Sequence, residues 1–153
     1  MNLNGADEIP NQLALQGVLS EIARIPIWIE DLAPRYSIPA DLQNSINLCL
    51  EEAVSNVIRH GYCGEADRSV LVRFSNPRKN YFVFAVEDEA LHFNPLDAPE
   101  LSELGSHEDI RIGGQGIRFL RRFTDALEYE QMPIGNRLSM GFSADGSESP
   151  ERP

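Results

Sequence analysis

The chain has 153 residues, 42% hydrophobic and 24% charged, a size and balance that predict one globular domain with a real core. Twenty-four acidic against 13 basic side chains leave a formal net charge of −11, which excludes a generic duplex-DNA surface built on clustered Lys and Arg. It does not exclude a nucleotide, because backbone amides, a helix N-terminus and Mg²⁺ neutralise phosphates with few basic side chains.

Residues 1–10 are polar and predict a flexible tail. They lack a basic stretch followed by an apolar core, so no secretory signal is expected. No apolar run reaches the roughly 20 residues that cross a bilayer. A cytoplasmic protein without membrane contact follows. Gln12 to Leu19 alternates in part, with Leu13, Leu15, Gly17 and Leu19 on one face, and predicts an edge strand. Ser20 is placed to cap a helix in which Ile22, Ile25, Ile29 and Leu32 recur at helical spacing. Pro26 should kink that helix or delay its start. Pro34 to Pro39 reads as a connection.

A long helix is predicted from near Pro39 to about His60, closed by Gly61 in the left-handed conformation common past a helix end. At about 100° per residue, Leu42, Ile46, Leu50, Ala53 and Val57 form a core-facing stripe. Glu52, Asn56 and His60 stack beside it at i, i+4, i+8. Glu51 turns away, towards Ser55 and Arg59 on the more solvated side. A carboxylate and an amide oxygen along such an edge suit proton abstraction and ligation of a hard cation; they equally suit the solvated flank of an amphipathic helix. Cys49 and Cys63 belong to no CxxC or Cys/His cluster, so neither a zinc site nor a required disulfide is expected.

Val70 to Phe74 and Tyr81 to Val86 read as a hairpin around the turn formers of residues 75–80. The second run, apolar on both alternations, predicts a strand buried on both faces. It ends at Glu87-Asp88. A carboxylate there either satisfies loop amides or accepts a hydrogen bond from an exocyclic amine such as that of adenine. Residues 87–112 have no clean period and many acids, and a loop of that length is either functional or disordered. GGQGIRFL, residues 113–120, is either a plain loop-to-helix junction or a glycine-assisted anion site at a helix start. It is neither a Rossmann fingerprint nor a P-loop. Ala126 to Gln131 and Arg137 to Phe142 predict a closing hairpin around residues 133–136, followed by a flexible tail over 144–153. One domain, residues 11–143, is expected.

In this order, the strings LEEAVSNVIRHGY, VEDEALHFNPLDAPE and IGGQGIRFLRRFTDALEYEQMPIGNRLSM resemble the GHKL ATPase superfamily (the Bergerat fold), which includes gyrase, the MutL proteins and histidine kinases. Within it the chain looks like the anti-sigma-factor serine/threonine kinases, the RsbW-like proteins, and Phe93-Asn94-Pro95 points to that subgroup. The resemblance spans Leu13 to Phe142. It implies an α+β fold: a two-layer α/β sandwich whose mixed, largely antiparallel sheet carries helices on one face.

It implies ATP and Mg²⁺ as cofactors, Glu52 as general base, Asn56 as the Mg²⁺ ligand and Asp88 as the reader of the adenine amine. Residues 96–112 would form the ATP lid. Gly114, Gly116 and Ile117 would open the helix that faces the phosphates, and Ser139 would lie near the adenine. His60 matches the family string and either joins the site or only closes its helix. The implied partners are an anti-anti-sigma (STAS-domain) protein carrying the phosphorylated hydroxyl, and a sigma factor; a homodimer is the default, and no direct nucleic-acid contact is implied. One departure stands out. The family usually has glycine two residues after the adenine-reading Asp, and here that position is Ala90. A methyl group there would narrow the base pocket, so the alternative is a non-catalytic partner-switching module with weak or lost ATP binding.

Overall fold

The computed structural model describes residues 11–63, 65, 67–97 and 115–144. β1 (Gln12–Gln16) leads through a 3-10 turn (Leu19–Ala23) into α1 (Arg24–Tyr36) and α2 (Ala40–Asn56). A π-helical turn (Val57–Gly61) extends α2. β2 (Ser69–Arg78) and β3 (Tyr81–Asp88) follow, then a short 3-10 turn (Pro95–Asp97), α3 (Gln115–Phe123), β4 (Ala126–Gln131) and β5 (Asn136–Ser143).

The five strands form one sheet in the order β1-β2-β3-β5-β4. Every neighbouring pair among the described residues is antiparallel, in keeping with the largely antiparallel sheet expected, and no parallel pair occurs among them. All described helices of the core lie on one side. Ile25, Ile29 and Leu32 of α1 and Ile46, Leu50 and Ala53 of α2 share a single core with Val72, Phe84, Val86, Leu138, Met140 and Phe142 of the sheet. Phe84 is its centre, with ring centroids 5.0 Å from Phe74, 5.9 Å from Trp28 and 6.2 Å from Phe142. Such aromatic clusters exclude water and contribute edge-to-face attraction beyond simple area burial.

No described helix covers the opposite sheet face. Phe82, Phe84 and Val86 are therefore buried while Val83 and Ala85 are only half-buried, which corrects the expectation of a strand buried on both faces. That open face carries a charge ladder instead. Glu87 Oε2 meets Arg73 Nε at 3.0 Å and Arg137 Nε at 2.9 Å, and Arg137 Nη1 reaches Glu130 Oε1 at 2.8 Å.

Several local expectations change. Ser20 does not cap α1; it lies inside the 3-10 turn, and Glu21 takes the Gln16 amide at 3.0 Å instead. Pro26 is the third residue of α1, where no N–H is needed, so it delays the helix rather than kinking it. Pro34 lies within the last turn of α1, not in a connection. The β2–β3 strands run on to Arg78 and Tyr81, leaving Lys79-Asn80 as a two-residue turn. Asn80 takes the left-handed φ of 63° that asparagine tolerates. No helix among the described residues is long and apolar enough to cross a membrane.

Candidate functional site

α2 is amphipathic as its spacing predicts: Ile46, Leu50 and Ala53 are buried, with Leu42 and Val57 packed at the margin. Ser55, expected on the solvated side, is buried instead, its hydroxyl donating to Glu52 O at 3.1 Å. The helix does not stop in a left-handed glycine. It widens into the π turn, whose register is fixed by the Tyr62 amide donating to Val57 O at 2.7 Å. Gly61 keeps a negative φ and leaves room for its neighbour, because a β-carbon there would lie 3.1 Å from the Ala90 methyl, a tight contact.

This wider turn brings His60, Gly61 and Cys63 to a cavity of about 400 Å³ between α2, α3 and the sheet. Ala53, Val57, Val86, Ile117, Leu120 and Leu138 give it apolar walls. Asn56 and Asp88 both line it, from different elements. Glu52, one turn before Asn56, does not. It lines an adjoining cleft with Gly116, Arg118, Phe119 and Arg122. A β-carbon at Gly116 would overlap the Glu52 carboxylate, so glycine in the first turn of α3 is what lets the two approach. Ser139 falls outside the cavity. It pairs with Ala85 in the β3–β5 register, and strand alternation places it opposite Leu138, on the open sheet face. Gly114 and most of the expected lid, residues 98–112, lie outside the described residues.

Asp88 is held by a network that sequence reasoning missed. Its Oδ1 accepts the Ala90 amide at 2.8 Å and Asn136 Nδ2 at 2.9 Å. Asn136, 7% exposed, also accepts the Phe93 amide at 2.9 Å and the Tyr129 hydroxyl through its Oδ1. Burial, with the Asp88 and Asp97 carboxylates adding to it, pushes the Tyr129 hydroxyl up from its ordinary value. Behind Asp88, Tyr62 ties the π turn to the strand end: its hydroxyl donates to Ser69 O at 2.6 Å and accepts the Glu89 amide at 2.9 Å. Gly135, at φ 88°, lets the β4–β5 turn pass over the Asp88 carbonyl, where any β-carbon would overlap it. The only sequence signal for Asn136 was its place in a cluster of turn formers, which points to a bend rather than to a buried hydrogen-bond hub.

The chemistry of the cavity follows from these groups. Apolar walls suit a flat heteroaromatic ring. Asp88 Oδ2 has no hydrogen bond among the described residues and is available to a donor on that ring's edge. Asn56 offers an amide oxygen to a cation. Glu52 presents a carboxylate, a group able to accept a proton, at the second cleft.

A family model described as the histidine kinase-like ATPase domain matches residues 18–142. The serine/threonine-protein kinase BtrW of Bordetella bronchiseptica is 26% identical over 113 residues, covering 74% of this chain and 79% of that protein. Two solved structures share the fold. The histidine kinase domain from the Erythrobacter litoralis EL346 blue-light activated histidine kinase superposes with a TM-score of 0.51 at 14% identity, over 83% of this chain and 61% of that one. The Erythrobacter litoralis EL346 blue-light activated histidine kinase gives 0.55 at 16% identity, over 84% of this chain and 42% of that one. This chain therefore spans less than two thirds of either solved histidine kinase.

Proposed function

The chain belongs to the histidine kinase-like ATPase domain family, and on that footing we propose that it is a Mg·ATP-dependent protein serine/threonine kinase of the anti-sigma-factor type. The observation that carries this reading is the convergence of Asn56 and Asp88 on one apolar cavity, with Glu52 at its flank. Asp88 accepts the exocyclic amine of adenine through its free oxygen. Asn56 would hold Mg²⁺ through its amide oxygen.

When bound, Mg·ATP supplies the transferable γ-phosphoryl group and the neutralisation of its charge. The protein's own share is positioning and proton transfer. Gly116 and Ile117 stand in the first turn of α3, and the first-turn amides of a helix favour an anion. Glu52 holds the proton released by an incoming seryl or threonyl hydroxyl. By family resemblance the donor of that hydroxyl is a STAS-domain anti-anti-sigma protein, a sigma factor is the sequestered partner, and the kinase acts as a homodimer. The relative named as a serine/threonine-protein kinase supports the hydroxyl specificity.

A second reading, a partner-switching module without turnover, is favoured by one observation: Ala90 is buried in the cavity wall where the family usually has glycine. Calorimetric titration with ATP, with and without Mg²⁺, separates the two. Micromolar, Mg²⁺-dependent binding, followed by transfer of labelled phosphate to a STAS-domain protein, is the expected outcome. Absence of binding up to millimolar ATP would favour the module.

A further inference from the structure

We propose that Asn136 is a positioning residue for purine recognition, locking Asp88 and the 90–93 loop into one base-reading wall. The proposal rests on the reading of the cavity as an adenine pocket. Asn136 is the first residue of β5, paired with Asp88 across the β3–β5 register. Its amide works in both directions. Nδ2 donates to Asp88 Oδ1 at 2.9 Å and to Leu91 O at 3.1 Å, while Oδ1 accepts from Phe93 N at 2.9 Å and from the Tyr129 hydroxyl.

Two consequences follow. First, Asp88 Oδ1 is occupied by two donors, Asn136 Nδ2 and the Ala90 amide. Both require an acceptor there, so the carboxylate plane is set and Oδ2 alone is left for the ligand. Turning Asp88 away would leave a buried amide donor unpaired. An exocyclic amine satisfies Oδ2, whereas a ring carbonyl at that place would set an acceptor against a carboxylate. Second, Leu91 and Phe93 line the cavity, and Asn136 fixes the backbone at both residues. A further tie, His92 Nε2 to Met132 O at 2.8 Å, joins the same loop to the β4–β5 turn. The hairpin β4–β5 thereby acts on base selection through Asn136, although Asp88 makes the contact.

The test compares the affinity of the full chain for ATP and for purine riboside triphosphate, which lacks only the exocyclic amine, in the wild type and in Asn136→Ala. The wild type should prefer ATP by about tenfold or more, as expected for a hydrogen bond to a charged acceptor. Asn136→Ala should erase that preference, ATP losing about tenfold more affinity than purine riboside triphosphate. A merely structural role would weaken both ligands alike, and an unchanged ratio would overturn the proposal. No preference in the wild type would instead remove the adenine reading of Asp88, and the proposal with it. Should Asn136→Ala fail to fold by circular dichroism, Tyr129→Phe carries the same test, since it deletes one hydroxyl from the network: a reduced ratio supports the proposal and an unchanged one overturns it.

Discussion

Gly61 and Ala90 are packed against each other at the cavity: a β-carbon on Gly61 would stand 3.1 Å from the Ala90 methyl, closer than ordinary van der Waals contact. The Ala90 methyl thus sits against a residue with no side chain. A pairing of this kind lets Ala90 be buried without pushing the π turn outward. Gly61→Ala should therefore destabilise the fold by about 1–3 kcal/mol, the usual range for overpacking. Ala90→Gly in the same chain should recover most of that loss. Denaturant unfolding of the two single variants and the double variant measures the coupling; additive effects would show that the contact is not what constrains residue 61.

Asn56 is the proposed oxygen ligand for Mg²⁺. Substitution of residues that merely orient metal ligands costs roughly 10- to 100-fold in affinity, and loss of a direct ligand should cost no less. Asn56→Ala should accordingly weaken Mg²⁺-dependent ATP binding by at least about tenfold while the circular dichroism spectrum stays unchanged. Titration calorimetry with and without Mg²⁺ checks it, and an unaltered Mg²⁺ dependence would take the ligand role from Asn56.

Glu51 and Glu52 are adjacent in sequence, but only Glu52 lines the cleft against Gly116. Glu52→Ala should keep ATP binding and slow phosphotransfer by about 10²- to 10⁴-fold, the usual contribution of a positioned base. Glu51→Ala should leave both within about twofold of wild type, the margin being set by its distance from any placed proton. Single-turnover transfer of labelled phosphate decides between them, and equal losses from the two variants would refute the helical-face assignment.

Cys49 is fully buried in the core, and burial, aided by the Glu52 charge, pushes its thiol up to about 12 from an ordinary 9.0. The unfolded chain gives up that proton near its ordinary value while the folded chain retains it. Fewer protons on the unfolded state mean that stability falls as pH rises. The contribution is complete below about pH 9 and is lost progressively between about 9 and 12. Cys49→Ala should flatten the alkaline limb of a thermal-denaturation profile. In the same protein at neutral pH, a thiol reagent should titrate exposed Cys63 alone, and both thiols only after denaturant is added.

Periodicity made the long helix legible, because a stripe such as Ile46, Leu50 and Ala53 has one physical use, facing a core. The same reasoning separated Glu52 from Glu51, and the terminal hairpin and the strand ending at Asp88 followed from alternation and turn formers. All these signals are local: each depends on residues within a turn or two of one another.

The tertiary structure decided what depends on contacts across the chain. Val83 and Ala85 are half-buried because no described helix covers their face, which no pattern within β3 could state. Ser139 and Leu138 differ by one residue yet face opposite sides of the sheet, so only the register decides which meets the cavity. Gly61 looked like a helix end, and its use depends on Ala90, far along the chain. Asn136 looked like a turn residue; the pairing of β5 with β3 turns it into the buried partner of Asp88. Sequence alone determined the helical edge that carries Glu52 and Asn56 and the strand that ends at Asp88, since backbone geometry repeats at fixed periods. Which of them meet at one cavity was decided by packing, because burial obliges polar groups to find partners wherever the fold brings them.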